Sequence, residues 1–166
     1  HCLKSKYYKV LRTSGANDKG IDVAGFADAK LLQGVWDNYQ CKHYGAPIAP
    51  GDAWPEIGKI LWYSFKGEYS PPRACFFVAP RGTGTTLTQL LANSTKLKAR
   101  VKEEWVKNIQ DKITDTQSVL LEGEFLAYFD AFDFSAFKPI AVREVVEQHR
   151  ASPYFLARFG GALPAR

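Results

Sequence analysis

The 166-residue chain predicts an α/β fold, a mixed central sheet flanked by helices with a helical C-terminal extension. Three observations carry that expectation. Gly20 to Lys42 reads as two strands of a hairpin. Residues 54 to 65 place apolar side chains at helical spacing. Arg73-Ala-Cys-Phe-Phe-Val-Ala79 is an unbroken apolar run ended by Pro80, the pattern of a strand buried on both faces. Strand, crossover helix and buried strand make a βαβ unit, so 73–79 is expected parallel to 35–42.

Taken in order, His1 to Tyr8 is expected as the last turn of a helix, and Lys9 to Thr13 as a short strand. Ser14 to Gly20 is a turn cluster of Gly, Asn and Asp. The strand Gly20 to Ala24 puts Ile21 and Val23 on one face and Asp22 on the other. Phe26 to Gln33 bridges to the strand Val35 to Lys42. Tyr44 to Asp52 is a loop, and the helix after it carries Trp54, Ile57, Ile60, Leu61, Ser64 and Phe65 on its apolar face. Lys66 to Pro72 is a loop. Thr83-Gly-Thr-Thr86 opens a helix with Leu87, Leu90 and Leu91, with Thr83 or Thr85 as the favoured cap. A longer helix over 95–113 repeats Leu97, Val101, Trp105 and Ile109 every four residues. Another runs through 122–129, and 130–139 is a packed loop. A last helix covers Ala141 to Arg150. Residues 1–115 are expected to form the core of the domain. Residues 116–166 are its helical extension and tail, expected to lead to a further domain.

Composition narrows the function classes without choosing one. A formal charge of +5 is compatible with a nucleic-acid partner and does not require one. Cys2, Cys41 and Cys75 have no framework spacing, and Cys41 and Cys75 read as buried thiols, so a reducing, cytoplasmic setting is expected. His1, His43 and His149 are scattered, with no zinc spacing. No run is apolar enough to span a membrane, so no membrane partner is expected. The chain contains no methionine and is expected to be part of a longer protein.

The chemistry lies in the hairpin. Gln40 and Lys42 are two apart on a strand and share a face. If Asp22 projects to the same side, a carboxylate, an amide oxygen and an ammonium converge. Asp22, the Gln40 side chain and the backbone carbonyl of Cys41 can offer hard oxygen ligands to Mg²⁺ or Mn²⁺. Lys42 can position or deprotonate an attacking water, or neutralise a phosphate. The bland alternative is a turn-capping Asp22 beside a solvated Gln40 and Lys42.

Thr13-Ser-Gly-Ala-Asn-Asp-Lys-Gly-Ile-Asp-Val-Ala-Gly-Phe26, followed by Tyr39-Gln-Cys-Lys-His-Tyr-Gly45, resembles the PD-(D/E)xK nuclease superfamily. Within it the resemblance is to Mrr-like restriction endonucleases carrying Q-x-K, including nuclease modules of bacterial anti-phage defence proteins. The match covers about Leu11 to Gly45, and the following elements agree with the family's αβββαβ core. Phe132 to Phe137, His149 to Tyr154 and Arg158 to Gly161 look like the extension of defence nucleases of the ABC-three-component kind. The resemblance implies a restriction-endonuclease-like fold and a Mg-dependent nuclease of double-stranded DNA, type II/IV-like, acting as a defence effector. Asp22 would be the metal-binding aspartate, Gln40 would stand in the place of the acidic ligand, and Lys42 would be the catalytic lysine. A homodimer or larger assembly is expected, with a sensor domain or partner protein. Two departures matter. Gln40 is neutral, and the acid that the family often adds from a helix before the first strand has no counterpart in His1 to Tyr8. Asp18 offers a partial substitute, although a turn role fits it better. A catalytically depleted module of the same fold, binding DNA or a protein, is the alternative, and an RNA-directed nuclease a weaker one.

Outside the hairpin the signals are weaker. Arg81-Gly-Thr-Gly-Thr-Thr86 has the setting of an anion loop but lacks a Walker ending. Arg81, Lys98 and Lys102 are candidate DNA-backbone contacts, although Glu103 and Glu104 interrupt the basic face. Asp130 and Asp133 read as loop and capping residues, and His149 as structural. Tyr44 either leans over the site or packs at its rim.

Overall fold

The computed structural model describes residues 6–13, 18–42, 45–140 and 144. Apart from Glu144, the helix expected over Ala141 to Arg150 lies outside them, as do the tail, Tyr44 and all three histidines. Among the described residues five strands form one mixed sheet: β1 (Lys9–Arg12), β2 (Val23–Phe26), β3 (Trp36–Cys41), β4 (Ala74–Val78) and β5 (Phe137–Pro139). Their order in space is their order in the chain. β1, β2 and β3 are antiparallel neighbours, and β3–β4 and β4–β5 are parallel. Among the described residues four α-helices accompany the sheet: α1 (Pro50–Phe65), α2 (Thr85–Leu91), α3 (Ser94–Glu104) and α4 (Gly123–Ala131). No described helix is long and apolar enough to cross a membrane. The parallel β3–α1–β4 unit stands as the apolar run implies.

Helix α1 starts at Pro50, where a missing N–H costs nothing, and the Ala49 N–H donates to the Asp52 carboxylate at 2.9 Å. Its inner face, including Ile57, Ile60 and Leu61, is fully buried. Trp36 of β3, Ala24 and Phe26 of β2, and Cys75 and Phe77 of β4 join it in one core, together with buried residues of α2, α3 and α4. The opposite face has a smaller core of Tyr7, Tyr39 and Ile140, with Val23, Cys41 and Phe76 against it. Period two along β3 separates the faces: Trp36, Asn38 and Gln40 turn toward the helices, Tyr39 and Cys41 away.

On that second face Asp37 is buried yet charged. Arg73 grips it with two hydrogen bonds, Nε at 2.9 Å and a terminal nitrogen at 2.7 Å, and the Tyr7 hydroxyl donates to it at 2.5 Å. Burial pushes the Asp37 carboxyl up, but the bonds from Arg73 and Tyr7 outweigh it and leave it below its ordinary 3.8. The Tyr7 ring lies directly over Gly25, where a Cβ would come within 2.6 Å of it.

Several sequence expectations need correction. Lys6 to Tyr8 forms a turn and bend, with no helical turn. The second strand begins at Val23, so Ile21 leaves Val23's face and joins the helix-side core. The helix expected over 95–113 is α3 followed by a π-helical turn at Trp105–Ile109 and a 3₁₀ turn at Gln110–Lys112. The spacing of four explains the change. In a straight α-helix it drifts by about 40° per step, and a wider π turn takes that drift back, so Leu97, Val101, Trp105 and Ile109 all stay buried. Helix α2 is capped by Gly84 without a side-chain bond, and the Thr83 and Thr88 hydroxyls bond each other at 2.7 Å. Cys41 is only half-buried, whereas Cys75 is fully enclosed. The packed loop 130–139 contains β5.

Helix α1 and the π turn meet at Gly58. An added Cβ there would lie 2.4 Å from Ile109 Cγ2. Gly58→Ala should therefore destabilise the fold by about 1 kcal/mol, because an overpacking cost of roughly 1–3 kcal/mol exceeds the helix-propensity gain of roughly 1 kcal/mol. A lower urea midpoint at unchanged m-value is the result to look for.

Candidate active site

The site forms where the β2–β3 ladder stops. A tight turn precedes β2: the Ile21 N–H donates to the Asp18 carbonyl at 3.0 Å, and the Gly20 N–H to the Asp18 carboxylate at 2.9 Å. Gly20 has φ +81°, and a Cβ there would lie 2.9 Å from the Cβ of Lys59 on α1. With the Ile21 N–H turned back to Asp18, the Cys41 main chain loses its ladder partner on that side. The Asp22 carboxylate takes the place of the ladder and accepts the Cys41 N–H at 2.7 Å. The Lys42 N–H points the other way, to the Val78 carbonyl at 2.9 Å. Since N–H and C=O of one strand residue leave by the same edge, the Cys41 carbonyl also faces the Asp22 side.

Gln40 and Lys42 both turn toward α1. Gln40 is 1% exposed, and its side-chain oxygen has no hydrogen-bond partner. Lys42 Nζ sits 2.6 Å from Oε1 of Glu56, with the two side chains only 18% and 9% exposed. The other Glu56 oxygen is buried without a hydrogen bond, 3.5 Å from the Lys59 ammonium. Lys59 also reaches Asp18 at 3.7 Å. Burial raises the Asp22 pKa above its ordinary 3.8. The nearby Glu56 and Asp18 charges add to that, against the Cys41 N–H and the Lys42 ammonium. Asp22, Lys42, Glu56 and Asp18 thus share one electrostatic neighbourhood.

Two residues escaped the sequence reading. Glu56 was invisible because helix α1 was read for its apolar stripe alone. It stands four residues before Ile60, on that stripe, and a carboxylate on an inward helix face is itself a signal. Asn38 is fully buried two residues before Gln40. Its amide donates to the Gly20 carbonyl at 2.8 Å and to the Cys75 sulfur at 3.4 Å, and its oxygen is unpartnered. The described side-chain oxygens that are buried without a partner are therefore those of Asn38, Gln40 and Glu56, all on this side of the sheet.

A divalent ion can be weighed against these donors. Among the described residues no three His, Cys, Asp or Glu side chains gather as a ligand group. The donors present are all hard oxygens: the Asp22 carboxylate, the Gln40 amide oxygen, the Glu56 carboxylate and the Cys41 carbonyl on the Asp22 side. That set fits Mg²⁺ or Mn²⁺ held by few protein ligands and several waters, and it does not fit a soft metal.

The three candidate DNA contacts stand differently. Arg81 is exposed, on the loop after β4 at the same end of the sheet as Lys42. Lys98 and Lys102 each lie 3.5 Å from the Asp130 carboxylate, and Lys98 also donates to the Asp130 carbonyl at 2.5 Å. Arg100 pairs with Glu103 and Glu104. The basic face of α3 is thus largely neutralised within the chain, which weakens the case for Lys98 and Lys102. Asp133 accepts the Ser135 N–H at 2.9 Å, a capping role as expected. Comparisons with protein-family models, with curated proteins and with solved structures found no match for the chain.

Proposed function

We propose that the protein is a divalent-metal-dependent nuclease of the PD-(D/E)xK type, with double-stranded DNA as its substrate. One observation carries the reading: Asp22 accepts the N–H of Cys41, the residue between Gln40 and Lys42, at the end of the β2–β3 hairpin, and α1 adds a buried glutamate, Glu56, against the lysine. The order β1–β2–β3, α1, β4 also agrees with the strand-helix-strand core of the resemblance described above. Glu56 stands as the second acid whose absence the sequence suggested, supplied by the helix after the hairpin.

The roles follow from chemistry. Asp22, the Gln40 oxygen and the Cys41 carbonyl would hold the ion. The ion would polarise the scissile phosphate and lower the pKa of a bound water. Lys42 orients the attacking water or steadies charge on the phosphate. Glu56 positions the Lys42 ammonium and, with Lys59 on its other oxygen, keeps the balance of charge close to neutral. Gln40, neutral, leaves the site less negative and makes metal retention more dependent on a bound phosphate.

The test is incubation of the protein with plasmid DNA and Mg²⁺, beside Lys42→Ala and Glu56→Gln. Cleavage lowered at least tenfold in both is the expected result, consistent with the loss of a general acid–base or positioning group. Cleavage undiminished in Lys42→Ala would remove the assignment. A second reading is favoured by the 2.6 Å Lys42–Glu56 pair and the small carboxylate count: a nuclease-fold module that binds DNA without cutting it. Retained salt-sensitive binding with no cleavage by the parent protein would select that reading.

A further inference from the structure

Beside the site, a cleft of about 560 Å³ opens between the turn before β2, helix α1 and the segment after the π turn. Lys19, Lys59 and Lys112 line it, with the Thr114 and Thr116 side chains and two acids, Asp18 and Asp115. Lys59 and Asp18 belong to both places: Lys59 lies 3.5 Å from the Glu56 oxygen whose partner oxygen holds Lys42. The cleft is therefore continuous with the candidate site through a chain of charges.

Lys19 is the informative residue. It has φ +53°, in the left-handed region where glycine or asparagine is cheaper. A lysine held there is a local strain in the turn that also places Asp22, and strain of this kind clusters at functional positions. Its ammonium lies 5.8 Å from the centre of the Tyr63 ring, another residue of the cleft wall, and 2.7 Å from Glu68. The Lys19–Glu68 pair is well exposed, so it can be exchanged for a stronger anion at little cost. Lys112 is exposed and makes no ion pair among the described residues. Ammonium groups and hydroxyls beside a phosphate-handling site make a surface for a polyanion backbone.

We propose that this cleft binds a second phosphate of the same nucleic-acid strand, next to the one at Asp22 and Lys42, with Lys19 and Lys112 as its principal cations. The inference rests on the nuclease reading. Lys19 and Lys112 set the register of the strand through electrostatic contacts blind to base sequence, and Lys59 ties that contact to Glu56.

The experiment is equilibrium binding of a fluorescein-labelled DNA duplex over a range of salt, in EDTA so that no cleavage occurs. The proteins compared are the parent, Lys19→Gly, Lys112→Gln and, as a charge-matched control on β5, Lys138→Gln. Lys19→Gly removes the charge and suits the positive φ of the turn, so the fold is kept; circular dichroism checks it. Each cleft variant is expected to weaken binding about 3–10-fold and to make the slope of log K against log salt shallower by about 1. The Lys138 variant should keep the parent slope. Parent-like slopes for Lys19→Gly and Lys112→Gln, in a protein that cleaves plasmid, would overturn the subsite and leave the nuclease reading standing. Neither binding nor cleavage by the parent would remove both.

Discussion

Asp22→Asn should abolish plasmid cleavage, by about 10²–10⁴-fold, while making the protein more stable near neutral pH. The two effects have one cause. Asp22 is held half-buried, with Glu56 and Asp18 nearby, and burial raises its pKa above 3.8. A carboxyl with a raised folded-state pKa binds its proton more tightly in the native state than in the unfolded one. Stability from this group is therefore greatest at low pH and falls as pH rises from 3.8 through the folded value. Asparagine keeps an oxygen to accept the Cys41 N–H and removes the charge. The variant should melt above the parent at pH 7, by about 2–4 °C for each 1 kcal/mol relieved. The gap should close below pH 3.8, where both side chains are neutral. Undiminished cleavage would leave Asp22 as a cap of the hairpin only, and a variant no more stable than the parent at pH 7 would show that its charge is not disfavoured in the fold. Thermal melts at pH 3 and pH 7, beside the plasmid assay, separate the two cases.

Arg73→Leu should be the most destabilising single change at a polar position, and with the opposite sign of pH dependence. Asp37 is 3% exposed, and its charge is compensated by the Arg73 fork and the Tyr7 hydroxyl. Removing the fork leaves a buried carboxylate with one donor. Fully buried pairs lose about 3–5 kcal/mol on such a change. Arg73 itself is 53% exposed, so water partly takes its place and about 2–3 kcal/mol is expected. That corresponds to a melting point lower by roughly 5–10 °C. Since the folded pKa of Asp37 lies below 3.8, its stabilising contribution in the parent is complete above that value and is lost as pH falls through the folded pKa. The variant loses this acid-side decline. Adding Asp37→Asn to Arg73→Leu should recover part of the loss, because the uncompensated charge has gone. No recovery would mean that Arg73 acts through packing of its aliphatic stem instead.

The hairpin was legible in the sequence because period two is enforced by the pleat: once β3 runs through Trp36, Asn38 and Gln40 toward the helices, Lys42 follows. The parallel β4 was legible for a related reason, since a strand covered on both faces has no polar positions to alternate. Glu56 was hidden because apolar periodicity marks which helix face is buried and says nothing of the one charged residue allowed onto it. Strand β5 was hidden because three residues ending in Pro139 carry too little pattern, and the strand exists through its pairing with β4. The π turn at Trp105–Ile109 was present in the spacing of four but only when that spacing is followed far enough for its drift to matter. The Lys19 turn lay in the Asn-Asp-Lys-Gly cluster, but a sequence does not say which residue will take the left-handed conformation.

The sheet's strands are laid down in space in the order of the chain. Each strand emerging during synthesis therefore finds its pairing edge already made by its predecessor, without waiting for a distant segment. Asp22, Gln40, Lys42 and Glu56 all fall within the first two-fifths of the chain, so the candidate site can assemble once β3 and α1 have left the ribosome. The hairpin comes first, built from short loops that cost little closure entropy. The slow pairing is β4 with β5, separated by more than fifty residues. Until β5 arrives, the far edge of β4 stays open, and a truncated or stalled chain would carry a formed site beside a strand free to pair with a neighbour.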